Sequence, residues 1–230
     1  MEKKLKCGLL GERLGHSYSK QIHACLADYE YELYGVPRDT AAEMIKSGEF
    51  DGLNVTIPYK ELAYSLCDEL DEFAQDAKSV NTVVYRNGKI CGYNTDVFGF
   101  MSMTERAGIS FEGKNIVILG SGGTSKTAHL ASKKMNAKKI TVVSRSGDVN
   151  YDNVYSLSDT EIIVNTTPVG MYPKNGESPI DLCRFPNCTG VVDVIYNPTK
   201  TALVFQAEEL GITVTYEEIM DILNNNSSEY

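Results

Sequence analysis

Two short stretches gather the side chains best suited to chemistry, Asn54-Val-Thr-Ile-Pro-Tyr-Lys60 and Tyr93-Asn-Thr-Asp96. Each places amide, hydroxyl and ionisable groups at the end of an apolar run. A lysine ammonium can give a proton to the oxyanion that develops as a ketone is reduced, or take one back in the oxidative direction. A carboxylate such as Asp96 can hold that ammonium in place. Downstream lies the glycine-rich run Gly120-Ser-Gly-Gly-Thr-Ser-Lys126. A lysine and an aspartate ahead of a dinucleotide-type loop point to a polar substrate, proton transfer and hydride transfer in one cleft.

Gly120, Gly122 and Gly123 follow the apolar run Ile116-Val-Ile-Leu119 and open a helix-like segment. In that setting glycine permits a tight turn and lets the backbone approach a pyrophosphate. The helix N-terminus adds unpaired N–H groups and a partial positive charge. Ser121, Thr124, Ser125 and Lys126 complete the loop, with Ser125 at the third small position of the fingerprint, where glycine or alanine is usual. The next apolar run ends at Val143 and leads into Ser144-Arg145-Ser146. Selection of NAD would call for Asp or Glu there to hold the ribose 2′-hydroxyl. An arginine fork flanked by hydroxyls suits a 2′-phosphate. The expected cofactor is NADP, with Lys126 adding to the positive patch.

These groups need rigid supports, and the pattern of the chain provides them. Segments 5–10, 31–36 and 52–57 read as strands. Segments 17–29 (Ile22, Leu26 and Tyr29 on one face), 40–47 and 59–67 read as helices. Asn87-Gly88 predicts a hairpin between 81–86 and 89–93. Asp96 is expected as a helix N-cap and Gly108 as the stop of that helix. From residue 115 onward, strands at 116–119, 139–143, 161–165, 190–195 and 212–215 alternate with helical patterns, which means βαβ units and a parallel sheet. The fold class expected is α/β: an N-terminal α/β substrate domain (1–108), a Rossmann-type doubly wound dinucleotide-binding domain (109–210), and a short C-terminal segment (211–230) packing back on the first. The active site is expected in the interdomain cleft.

The bulk properties exclude several classes. At 230 residues there is ample core for one large domain or two small ones. A net charge of −9, spread over helical faces, leaves no basic stripe for nucleic acid. No apolar run approaches the ~20 residues that span a bilayer, and the N-terminus lacks the apolar core of an export signal. Six scattered cysteines without a Cys-x-x-Cys pair read as buried free thiols in a reducing cytoplasm. No histidine neighbours Cys183 and Cys188 to complete a zinc site, so no metal is expected.

In this order, these residues resemble the shikimate dehydrogenase family over about residues 11–210. His16-Ser17-Tyr18-Ser19 is similar to the family's serine pair for the substrate carboxylate, and the segment from Asn54 to Lys60 matches its most specific motif. Val80-Asn81-Thr82 and Tyr93-Asn-Thr-Asp96 resemble the next two. Asn165-Thr-Thr-Pro-Val-Gly-Met171 and Asp193-Val-Ile-Tyr196-Asn-Pro resemble the segments lining the nicotinamide side. The resemblance implies Lys60 and Asp96 as the proton-transfer pair. It also implies Ser17 and Ser19 on the carboxylate, Asn54, Thr56 and Asn81 on ring hydroxyls, Tyr196 against the substrate, and Thr166 and Met171 beside the cofactor. The implied activity is reversible, NADP-dependent reduction of 3-dehydroshikimate to shikimate in the chorismate pathway, by a monomer or homodimer.

The chain departs from the family pattern at two places. Lys20 stands where proline is usual. The family ends with a glycine-containing segment and a helix bearing a substrate-binding glutamine, whereas here Leu210-Gly-Ile-Thr-Val-Thr215 runs into Tyr216-Glu-Glu-Ile-Met-Asp-Ile-Leu223. Asn224 is the amide available to replace that glutamine. A quinate/shikimate dehydrogenase of broader specificity, and a ligand-binding regulatory homologue with weak or no turnover, are the alternative readings.

Overall fold

The computed structural model describes residues 4–15, 17–26 and 28–216. They fall into two compact units, the first ending at Asp96 and the second beginning at Val97. His16, the segment from Glu217 to Leu223 and the Asn224 amide lie outside the described residues.

The first unit runs β1 (Lys6–Gly11), α1 (Ser19–Leu26), β2 (Glu30–Gly35), α2 (Arg38–Ser47), β3 (Gly52–Val55), α3 (Lys60–Leu66), β4 (Glu69–Leu70), α4 (Glu72–Ala77), β5 (Thr82–Arg86) and β6 (Lys89–Tyr93). Its six-stranded sheet has the order β2-β1-β3-β5-β6-β4. Strand β1 pairs in parallel with β2 and β3, while β5 is antiparallel to both β3 and β6. Register then determines what meets at one edge: Asn54 lies opposite Thr82, and Thr82 lies opposite Tyr93. The carboxyl end of β3, the amino end of β5 and the carboxyl end of β6 therefore open on the same side. Alternation along β3 buries Leu53 and Val55 in the core with Leu10, Ile45 and Tyr59, and turns Asn54 to the opposite face.

Asn87 (φ 53°) and Gly88 (φ 74°) both adopt the left-handed conformation that a two-residue hairpin turn requires. The stripe expected along residues 17–29 does not form. Helix α1 ends at Leu26, which is two-thirds exposed, and no residue of this helix is buried. The apolar period runs on through a turn in which Tyr29 leaves the helix, and the Tyr29 hydroxyl meets the His23 ring nitrogen instead. Strand β4 and helix α4 were not anticipated. The strand has only two residues, too few for a period, and the helix depends on Asp71, whose side chain accepts from the Ala74 N–H at 2.8 Å.

The second unit begins within α5 (Thr95–Arg106). It continues through β7 (Asn115–Leu119), α6 (Gly123–Lys134), β8 (Lys139–Val143), β9 (Ile162–Asn165), β10 (Gly190–Asp193), α7 (Ala202–Glu209) and β11 (Thr213–Tyr216). Helix α5 starts two residues earlier than expected, so Asp96 lies in its first turn rather than at its cap. Gly108 (φ 72°) follows the end of that helix. The five strands are all parallel, in the order β11-β10-β9-β7-β8. The described part of the C-terminal segment thus adds an edge strand to this sheet. Strands β9 and β10 are buried along their whole length, as expected of a sheet covered on both faces. The order reverses about β7, with β8 on one side and β9 on the other. In open α/β sheets, ligands bind at that reversal, beyond the carboxyl ends of the strands.

At the end of β10, Asp193 is fully buried. It accepts hydrogen bonds from the Thr201 hydroxyl (2.6 Å), the Asn165 amide (3.1 Å) and the Ile195 N–H (3.1 Å). Burial pushes its carboxyl above the ordinary range, against the lowering effect of those donors. Between the ordinary value and the raised one, the folded chain holds a proton that the unfolded chain has lost. This site's contribution to stability is therefore greatest below the ordinary value and declines as pH rises through the raised one. An Asp193→Asn variant, melted at a series of pH values, should gain on the wild type as pH rises from about 4. A Tm difference that stays constant with pH would refute this.

The cysteines are only partly as expected. Cys91 and Cys188 are buried, Cys7 and Cys67 are half-buried, and Cys25 and Cys183 are exposed; all six are free thiols. Cys25 lies on a helix that buries none of its residues, so its apolar setting in the sequence does not translate into burial. No described helix is long and apolar enough to cross a membrane.

Candidate active site

Lys60 opens helix α3 directly after Tyr59, and Tyr59 is the anchor. Its ring is 1% exposed, its hydroxyl donates to the Val36 carbonyl at 2.6 Å, and its N–H donates to the Thr56 carbonyl at 2.9 Å. The lysine thus projects from a segment fixed by its neighbour. Its Nζ donates to Asp96 Oδ2 at 2.6 Å, with the two side chains 29% and 37% exposed. The pair is ordered yet accessible, as a proton-transfer group must be.

Asn81 orients the carboxylate. Its Nδ2 donates to Asp96 Oδ1 at 2.7 Å and to Thr95 Oγ1 at 2.9 Å. Its Oδ1 accepts from the Thr95 N–H at 2.9 Å and the Thr82 hydroxyl at 3.2 Å. Those bonds engage both N–H groups and the carbonyl of a side chain only 9% exposed. The structure therefore places Asn81 behind Asp96, where it holds the carboxylate toward Lys60. Asn54, half-buried on β3, accepts from the Tyr31 hydroxyl at 2.8 Å and donates to Thr82 Oγ1 at 3.3 Å. Thr56 is half-buried just past β3, and its N–H is tied to the Leu10 carbonyl at 2.9 Å. Ser17 and Ser19 are half-buried where the chain enters α1; the Ser17 hydroxyl donates to Ser19 Oγ at 3.1 Å. One edge of the first sheet thus brings together Lys60, Asp96, Asn81 and Asn54. Tyr31, Thr82 and Thr95 join them. Tyr31 was not anticipated, because a tyrosine in a strand-like run carries no signal beyond β propensity, whereas Thr82 and Thr95 lie within the quoted motifs without having been given a role.

In the second unit the glycine loop fills the switch point. Gly120 has φ 102°, and a Cβ there would come within 2.9 Å of Thr166 Oγ1 and 3.1 Å of Thr167 Cγ2. Glycine is required both by conformation and by the closeness of the loop after β9. The Thr166 hydroxyl donates to the Leu119 carbonyl at 2.6 Å and locks the two strand ends together. Gly122 and Gly123 differ: a Cβ at either would meet no protein atom within 4 Å. Packing within the chain does not ask for glycine there, whereas close approach of a pyrophosphate would. Gly122 is the N-cap of α6 and has no side chain to accept from the first-turn N–H groups. Ser125 is buried against the sheet, so its small size serves helix–strand packing. Ser121, Thr124 and Lys126 are exposed around the loop.

The turn after β8 carries half-buried Ser144 and exposed Arg145 and Ser146, and Arg145 forms no ion pair with any described residue. Tyr151 is close enough for the guanidinium to pull its phenol down, although burial raises it overall. These residues fit a dinucleotide with a 2′-phosphate. The loop and helix N-terminus would hold the pyrophosphate, and Arg145 the added charge. Met171 is 42% exposed, and Tyr196 is half-buried in the loop after β10.

A parallel sheet with a glycine loop at its switch point, together with a unit bearing an ordered lysine–carboxylate pair, defines the class of two-unit, dinucleotide-dependent dehydrogenases. Comparison with known proteins narrows the class. Residues 9–83 match the family model of the shikimate dehydrogenase substrate binding domain. The chain is 34% identical over 229 residues to the shikimate dehydrogenase (NADP(+)) of Clostridium perfringens strain 13, covering 89% of this chain and 83% of that one. Among solved structures, a chorismate mutase/shikimate 5-dehydrogenase fusion protein from Clostridium acetobutylicum superposes with a TM-score of 0.85 at 34% identity, covering 93% and 85% of the two chains. The shikimate 5-dehydrogenase of Thermus thermophilus, solved with NADP(H) and shikimate, gives 0.78 at 26% identity, covering 91% and 86%. The chain belongs to the shikimate dehydrogenase family.

Proposed function

We propose that this chain is an NADP-dependent shikimate dehydrogenase that interconverts 3-dehydroshikimate and shikimate. The observation that carries the reading is the 2.6 Å pair of Lys60 and Asp96 on the same sheet edge as Asn54 and Asn81. NADP supplies the hydride when bound. The remaining requirements fall to the chain. Lys60 gives its proton to the oxygen that becomes the new hydroxyl and recovers it in the reverse direction. Asp96, fixed by Asn81, holds the ammonium in line. The hydroxyls of Ser17 and Ser19 receive the carboxylate, and Asn54 and Thr56 offer an amide and a hydroxyl to the ring. Tyr196 would meet the substrate and Met171 would pack on the nicotinamide. The first unit is the substrate domain and the second the NADP domain. Six free cysteines suit a reducing cytoplasm.

The test is a matrix of initial rates with shikimate and quinate, each with NADP and NAD. Shikimate with NADP should have the highest kcat/KM. The extra hydroxyl of quinate has to find both room and a partner. A folded protein that binds both ligands and forms no NADPH at any pH would sink the catalytic reading and leave a binding protein.

A further inference from the structure

We infer that Tyr31 is a positioning residue for substrate recognition, setting the orientation of the Asn54 side-chain amide so that its NH2 group is offered to the substrate. The inference rests on the shikimate reading above. It begins from the sense of a hydrogen-bonded file that runs through the first unit. Backbone N–H groups can only donate, so the Thr95 N–H requires Asn81 to present its carbonyl there, and the Asn81 NH2 must then face Asp96. The Thr82 hydroxyl donates to that same carbonyl, which leaves Thr82 Oγ1 to accept from Asn54 Nδ2. At the other end, the Tyr31 hydroxyl donates to Asn54 Oδ1 at 2.8 Å. From both directions the Asn54 carbonyl is turned inward, and one hydrogen of its NH2 remains for a ligand oxygen.

Tyr31 is built for this task. It is 6% exposed on β2, and burial pushes its phenol well up, so it remains a donor. The His23 ring stacks on it, with centroids 3.8 Å apart and planes at 12°. His23 is itself held by the Tyr29 hydroxyl and also faces the Asn54 amide. No ligand contact is needed for Tyr31 to matter: without its hydroxyl, the Asn54 carbonyl loses the 2.8 Å bond that fixes it, and the amide can turn over, presenting an acceptor where a donor is required.

The test is a double-mutant cycle of Tyr31→Phe, Asn54→Ala and the pair, which keeps the ring and the stack in place. Tyr31→Phe should raise the KM for shikimate roughly three- to tenfold, as loss of one neutral hydrogen bond does. The KM for NADP should hold, and kcat should fall much less than KM rises. The double variant should be no worse than Asn54→Ala alone, since Tyr31 acts through Asn54. Multiplying effects, or an equal rise in the KM for NADP, would overturn the inference while leaving the dehydrogenase reading intact. A second measurement is independent of turnover. The Asn54 side-chain ¹H–¹⁵N signals, identified by their loss in Asn54→Ala, should move in Tyr31→Phe; unmoved signals would overturn the inference even if the wild type proved inactive on shikimate.

Discussion

A Lys60→Ala variant should lose roughly 10²–10⁴-fold in kcat for shikimate oxidation while binding NADP as the wild type does, because general acid–base groups contribute about that much. The size follows from the geometry. Lys60 is the ammonium paired with Asp96, and Asn81 has both N–H groups and its carbonyl engaged inside the protein. Removing the amine leaves water as the proton source. The fold should survive, since Tyr59 rather than Lys60 anchors the start of α3, and the helix core is Leu62 and Ala63. Rates from a stopped assay, read beside calorimetric NADP binding and a melting curve, separate the possibilities. Turnover within a few-fold of wild type would remove Lys60 from its role.

The second large effect concerns the cofactor. Arg145→Ala should raise the KM for NADP roughly ten- to a hundredfold and leave that for NAD nearly unchanged, because a hydrogen bond to a charged group contributes about 1.5–3 kcal/mol. Arg145 is exposed in the turn after β8, beside the glycine loop, and forms no ion pair with any described residue. Among the described residues no ion pair is therefore lost with it. Equal shifts for NADP and NAD would mean that the guanidinium does not read the 2′-phosphate.

The glycine loop was the most legible part of the chain. A run buried on both faces, three glycines and a helix follow one another locally, so their meaning does not depend on distant residues, and β7 and β8 lie within a residue of their expected places. The hairpin at Asn87-Gly88 was legible for the same reason: both residues must tolerate positive φ. Helix α1 was not. Its apolar spacing resembled a buried face, yet only packing decides burial, and Leu26 points into solvent. The place of Asp96 in its helix differs from expectation by two positions, and that shift matters. At a cap its carboxylate would serve its own helix, whereas in the first turn it meets Lys60 and Asn81.

The sequence by itself determined the chemistry on offer: a lysine, an aspartate, an array of amides and hydroxyls, and a loop that admits a phosphate. Residue type and local spacing are enough for that, because donors, acceptors and allowed φ values belong to single residues. Tertiary structure alone decided which of those groups face one another. Asn54, Asn81 and Asp96 are dozens of residues apart or on different elements, and they meet only because β5 runs antiparallel between β3 and β6. The two opening motifs are one array by virtue of that register. A hydrogen bond has a direction, so the register also settled which way each amide in the array must point.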